Sequence, residues 1–133
     1  METSDLIGLA KKARENAYAP YSNFKVGAAL LAEDGQVFTG CNVENVSYGD
    51  AICAEKVAVI KAIAEGVSRF SKLVVLTDTE NPASPCGSCR QILFEFSPNL
   101  LVIMANLNGF VKEMNISELL PYAFSLKNTN KLL

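Results

Sequence analysis

Segments of helical spacing alternate along this chain with short apolar runs of strand length, and that alternation narrows the possible folds more than any other feature. Leu73–Thr77 is an unbroken apolar, β-branched run suited to a central strand buried on both faces, and Leu100–Ala105 is a second such run. Between them Ser84-Pro85 predicts a helix, with a capping hydroxyl and proline at the first turn, running to about Phe96 and stopping before Pro98. Upstream, Thr3 or Ser4 is expected to cap a helix presenting Leu6, Ile7, Ala10, Ala13 and Ala17, closed by Pro20. Strands over Lys25–Ala32 and Gln36–Gly40 flank the turn Glu33-Asp34-Gly35, and Cys41–Asp50 reads as a loop. A helix from about Asp50–Ile52 carries Val57, Ile60 and Ala64 to Gly66. Phe110–Met114 follows the Asn108-Gly109 turn as a further strand, and Ser117 is expected to cap a short helix over Glu118–Leu120. The order α-β-β-α-β-α-β-β-α predicts a sheet covered on both faces, a three-layer α/β arrangement in one domain over residues 1–133.

Histidine is absent. That removes every mechanism resting on an imidazole base and every imidazole metal ligand. A transition metal here must be held by thiolates, and a base working near neutral pH is expected to be a carboxylate. The formal charge of -2 and a pI near 5.1 supply no basic stripe, so a long nucleic-acid substrate is disfavoured and a small neutral one is not. No apolar run reaches membrane-spanning length, and the start Met-Glu-Thr-Ser-Asp is unlike a basic export signal, so a reducing cytoplasm is the expected compartment. A mean hydropathy of +0.20 leans towards further burial between subunits.

Two clusters carry the chemistry: Cys53-Ala54-Glu55 at the head of the second helix, and Pro85-Cys86-Gly87-Ser88-Cys89 at the head of the third. Cys86 and Cys89, three residues apart, share a helix face, and Cys53 supplies a third sulfur if the two helix starts converge. Three ligands leave one tetrahedral corner for water, as in catalytic zinc. The positive ends of helices favour thiolates. Three thiolates leave a zinc site with a net negative charge, which Lys56 and Arg90, directly after the clusters, are candidates to offset. Glu55 lies roughly 200° around an ideal helix from Cys53, free to act as a proton carrier beside the metal. Two other readings exist. Cys41 as fourth ligand would make a non-catalytic, zinc-stabilised interaction module; otherwise Cys41 is a small buried hydrophobe. A redox Cys-x-x-Cys pair is expected just after the first strand of a βαβ unit, whereas this one comes late and leaves Cys53 unexplained.

These residues resemble the signature of small, homotetrameric cytidine deaminases, a zinc deaminase pattern whose three-cysteine form is well established. The likeness runs from about Ala13 to Phe124. It includes Tyr18-Ala19-Pro20-Tyr21-Ser22-x-Phe24-x-Val26-Gly27-Ala28-Ala29, Gly40-Cys41-Asn42-Val43-Glu44-Asn45 and Glu118-Leu119-Leu120-Pro121. The resemblance implies a three-layer α/β/α sandwich with a mixed five-stranded sheet, and one Zn²⁺ per subunit on Cys53, Cys86 and Cys89. It implies Glu55 as general acid/base, Asn42 and Glu44 on the ribose, and Phe24 against the base. Phe124 would close a neighbouring subunit's pocket in a homotetramer. The implied reaction is hydrolytic deamination of cytidine and deoxycytidine, with a cytosine-bearing antibiotic such as blasticidin S as an alternative substrate. The chain departs from the family in two places. Lys56 stands where many members have arginine, offering a point charge for a planar fork. The tail pattern Leu-Leu-Pro-Gly-x-Phe is here Leu119-Leu120-Pro121-Tyr122-Ala123-Phe124, so a different local turn is expected.

Overall fold

The computed structural model describes residues 1–126. Its elements are α1 (Thr3–Arg14), β1 (Val26–Ala32), β2 (Val37–Cys41), a single 3₁₀ turn (Tyr48–Asp50), α2 (Ala54–Ala64), β3 (Phe70–Thr77), α3 (Gly87–Phe96), β4 (Leu101–Asn106), β5 (Val111–Asn115) and α4 (Ile116–Leu119). The five strands form one sheet in the order β2-β1-β3-β4-β5. β1 is antiparallel to β2 and β3, β3 and β4 are parallel, and β5 returns antiparallel, so the sheet is mixed.

Both faces are covered, which is why β3 needs no polar alternation. Val74 and Leu76 join Leu6 and Ala10 of α1, with Ala29, Ile103 and Ala105, in one buried cluster. Leu73 and Val75 point the other way, into a cluster with Ala58 and Val59 of α2, Leu93 of α3 and Ile116 of α4. Two glycines set how closely the helices approach. A Cβ on Gly27 would lie 2.0 Å from the Ala10 carbonyl oxygen of α1, and one on Gly40 would lie 2.3 Å from that of Ala54 in α2. Only a residue without a side chain permits backbone contact of this kind.

The helix starts differ from expectation. Thr3 and Ser4 lie inside the first turn of α1; Glu2 is the N-cap and makes no side-chain cap bond. α1 ends at Arg14, well before Pro20, leaving Ala17 outside it. Ser84 does not cap α3, because Cys86, itself in an extended conformation, is the N-cap. α2 likewise begins at Ala54 behind Cys53, later than the apolar spacing suggested. Asn115, not Ser117, caps α4: its side chain accepts from the Ser117 amide while Glu118 reaches back to the Asn115 amide, a reciprocal capping box. At the departing tail, Tyr122 has φ of 53°, a left-handed conformation that glycine adopts without strain.

Candidate active site

Chain direction brings the two cysteine clusters together. α2 leads into β3, so its N-terminus lies at the end where β3 finishes, and α3 starts after the loop that leaves that same end. Two helix starts thus meet at the carboxyl end of a parallel strand, the usual place for a ligand in an α/β sheet. Cys53 and Cys86 are the N-caps of α2 and α3, and Cys89 sits in the first turn of α3. The Sγ atoms of all three lie within 4.8 Å of one another. Tetrahedral thiolates at a zinc–sulfur distance of about 2.3 Å stand roughly 3.8 Å apart, so small side-chain rotations close the set on one ion. The soft, all-sulfur donor set fits zinc. Cys41, at the end of β2, is not part of this group of possible ligands. A closed four-sulfur site therefore has no support here.

The thiols do not ionise alike. Cys53 is drawn down to about 6, first because the Cys89 thiol donates to it, then through Cys86 and the positive charge of Lys56. Cys89 is pushed up, because it serves as that donor and because it is buried. Burial raises Glu55, and the neighbouring Cys53 charge adds to the rise; only 5% of Glu55 is exposed. A carboxyl raised in this way is held towards its protonated form, the direction that suits a group which both takes and returns a proton.

Beside the thiols opens a cavity of about 260 Å³, lined by Phe24, Asn42, Glu44, Cys53, Ala54, Glu55, Thr77 and Ser84 among others. Among the described residues its lining contains no lysine or arginine. Asn42 is anchored through main chain: its Oδ1 accepts from the Val26 amide at 2.9 Å, and its Nδ2 donates to the Phe24 carbonyl at 2.7 Å. Glu44 accepts from the amides of Tyr21 and Ser22 and from the Ser22 hydroxyl, which holds its carboxyl below the usual range. Arg90, directly after Cys89, is held by three oxygens. Its guanidinium donates to the Pro85 carbonyl (2.8 Å), the Leu119 carbonyl (2.7 Å) and Ser84 Oγ (2.9 Å), tying the approach to Cys86 onto the end of α4. Lys56 is the cation felt by both Cys53 and Glu55. Phe124 is largely exposed and lies outside the lining of its own subunit's cavity; Gln91 holds its carbonyl.

Residues 1–105 match the family described as the cytidine and deoxycytidylate deaminase zinc-binding region. The chain belongs to this deaminase family. A cytidine deaminase of Sporosarcina psychrophila is 52% identical over 94% of this chain and 93% of its own, and one of Halalkalibacterium halodurans is 47% identical over 98% and 99%. Among solved structures, the crystal structure of cytidine deaminase from Burkholderia pseudomallei superposes with a TM-score of 0.91 at 50% identity, covering 93% of this chain and 100% of that one. The Mycobacterium tuberculosis cytidine deaminase gives 0.83 at 41%, covering 95% and 99%. The α/β fold and the zinc chemistry of the deaminase family thus extend to this chain.

Some cavity residues escaped the sequence reading. Thr77 looked like the last residue of a buried strand, and Ser84 like a helix cap; both line the cavity. For Thr77 a signal existed, since the carboxyl end of a parallel strand is where ligands sit. Ser22 gave none, because only the folded loop brings it to Glu44.

Proposed function

We propose that this chain hydrolyses cytidine and deoxycytidine to uridine and deoxyuridine with release of ammonia, using one zinc per subunit held by Cys53, Cys86 and Cys89. The observation that carries this reading is the meeting of three thiols at the edge of one open cavity, with Cys53 and the buried carboxyl of Glu55 on its wall. Zinc held by Cys53, Cys86 and Cys89 would supply a water acidified enough to attack the base near neutral pH. Glu55 would carry the first proton of that water to the ring nitrogen beside the amine-bearing carbon and the second, released as that carbon becomes a carbonyl, to the departing amine, a shuttle suited to its raised pKa. Phe24 packs against the base, while Asn42 and Glu44 hydrogen-bond the sugar, the Glu44 carboxylate as an acceptor. Lys56 offsets the negative charge of the thiolates, with Arg90 adding its charge from the staple beside Cys86.

The family description spans nucleosides and nucleotides, and the cavity favours the former. Among the described residues two carboxylates and no lysine or arginine line it, so a substrate phosphate would meet repulsion there. The sugar-facing pair Asn42 and Glu44 likewise favours a plain nucleoside over blasticidin S; a higher kcat/KM on the antibiotic would reverse that choice. Exposed Val46, Tyr48, Ile60, Phe110 and Phe124 leave apolar surface that a homotetramer would cover, with Phe124 reaching into a neighbour's site. Three reduced thiols suit a reducing cytoplasm. No helix among the described residues is long and apolar enough to cross a membrane.

The decisive experiment is Glu55→Gln. Zinc content stays at one per chain, while turnover of cytidine, followed by loss of ultraviolet absorbance, falls by about 10²–10⁴-fold. Undiminished turnover would remove Glu55 from the mechanism. Cys53→Ala lowers zinc content; full occupancy would exclude it as a ligand.

A further inference from the structure

Glu44 is a half-buried carboxylate on a loop, a poor place from which to orient a ligand unless something fixes it. Three donors do so. Its Oε1 accepts from the amides of Tyr21 (3.0 Å) and Ser22 (3.2 Å), and its Oε2 accepts from the Ser22 hydroxyl. An ionised carboxylate offers about four acceptor sites, so roughly one is left, on Oε2, for a single donor from outside. The same Ser22 oxygen accepts the Phe24 amide at 3.0 Å, and Asn42 Nδ2 takes the Phe24 carbonyl at 2.7 Å. Asn23, between them, has φ of 57°, which turns the chain so that one hydroxyl reaches both neighbours. Ser22 therefore joins the wall for the base to the wall for the sugar.

We infer that Ser22 is a positioning residue for the sugar subsite: its hydroxyl aims Glu44 so that one remaining acceptor site meets one sugar hydroxyl. This rests on the assignment of Glu44 to the ribose made above. Loss of the Ser22 hydroxyl frees Oε2 to turn to water, weakening recognition only of substrates that present a hydroxyl there. 2′,3′-Dideoxycytidine has no such group and serves as the control substrate.

The test compares kcat/KM for cytidine and for 2′,3′-dideoxycytidine in the zinc-loaded enzyme and in Ser22→Ala, Ser22→Thr, Glu44→Ala and the Ser22→Ala/Glu44→Ala double variant. Ser22→Ala is expected to lower the cytidine-to-dideoxycytidine ratio about tenfold, chiefly through KM for cytidine. Ser22→Thr, which keeps the hydroxyl, restores it. In the double variant the ratio falls no further than in Glu44→Ala alone. Equal losses on both substrates in Ser22→Ala would show that Ser22 merely supports the loop and would overturn the proposal. If Glu44→Ala leaves the ratio unchanged, the sugar role of Glu44 fails; if it lowers the ratio while Ser22→Ala does not, only the role of Ser22 fails.

Discussion

The two faces of the sheet are packed alike and equipped differently. On one, α1 lays Leu6 and Ala10 over Ala29, Val74, Leu76 and Ile103, and every residue of that buried cluster is apolar. On the other, α2 and α3 bury Ala58, Val59 and Leu93, and carry Cys53, Glu55, Cys86 and Cys89 at their starts. The difference follows from helix direction. Gly27, at the start of β1, lies beside Ala10 and Arg14 in the second half of α1 and pairs with Leu76 near the end of β3. α1 thus brings its C-terminal half, the negative end of its dipole, to the end of the sheet where α2 and α3 bring their positive starts. Thiolates are favoured at the latter and disfavoured at the former. One face can hold an anionic ligand set, and its opposite can only pack.

Alanine at the two contact glycines breaks this comparison most severely. Gly40→Ala sets a Cβ 2.3 Å from the Ala54 oxygen and 2.8 Å from the Ala58 nitrogen, so the first turns of α2 must retreat and take Cys53 and Glu55 with them. Zinc content should fall well below one per chain and turnover about a hundredfold or more, since an ångström of misplacement at a catalytic group costs that much. Gly27→Ala is as crowded, at 2.0 Å from the Ala10 oxygen, and should cost about 3 kcal/mol of stability. Yet the protein that stays folded should keep its zinc. Metal analysis beside thermal melts of both variants checks this, and equal zinc loss in the two would mean that the faces are not separable.

Arg90→Ala sharpens the comparison within the chemical face. Removing the staple leaves the Pro85 and Leu119 carbonyls without their charged donor and loosens the approach to Cys86. Transfer of zinc to a chelator should quicken about tenfold, corresponding to roughly 1.4 kcal/mol. Arg90→Lys should recover part of this, because one ammonium cannot serve three oxygens in fixed directions. If the release rate is unchanged in Arg90→Ala, the staple does not hold the ligand loop.

What could be read from the sequence divides along physical lines. β3 and the covered sheet were legible because burial on both faces leaves a continuous apolar run, and the cysteine spacing was legible because i and i+3 share a helix face. Helix starts were not. Ser84 has the chemistry of a cap, yet Cys86, itself extended, is the N-cap of α3, and Asn115 outcompetes Ser117 through a reciprocal bond with Glu118. The stapling role of Arg90 was hidden as well, since its partner Leu119 lies far along the chain. Local chemistry proposes caps and charge partners, and contacts distant in sequence choose among them.

The smallest effect tests the tail, on the chemical face but outside its machinery. Tyr122 is fully exposed and holds a left-handed conformation at φ of 53°. That geometry costs a residue with a Cβ about 1–2 kcal/mol, whereas glycine gains up to about 1 kcal/mol more freedom in the unfolded chain. The terms oppose, and relief of strain is the larger, so Tyr122→Gly should raise stability by about 0.5–1 kcal/mol. No packing is lost, because the ring touches solvent. Chemical denaturation of the zinc-loaded protein would show the midpoint moving up with its slope unchanged. A lower midpoint would mean that the tyrosine ring is covered in the assembled protein, as it would be if this tail lies between subunits.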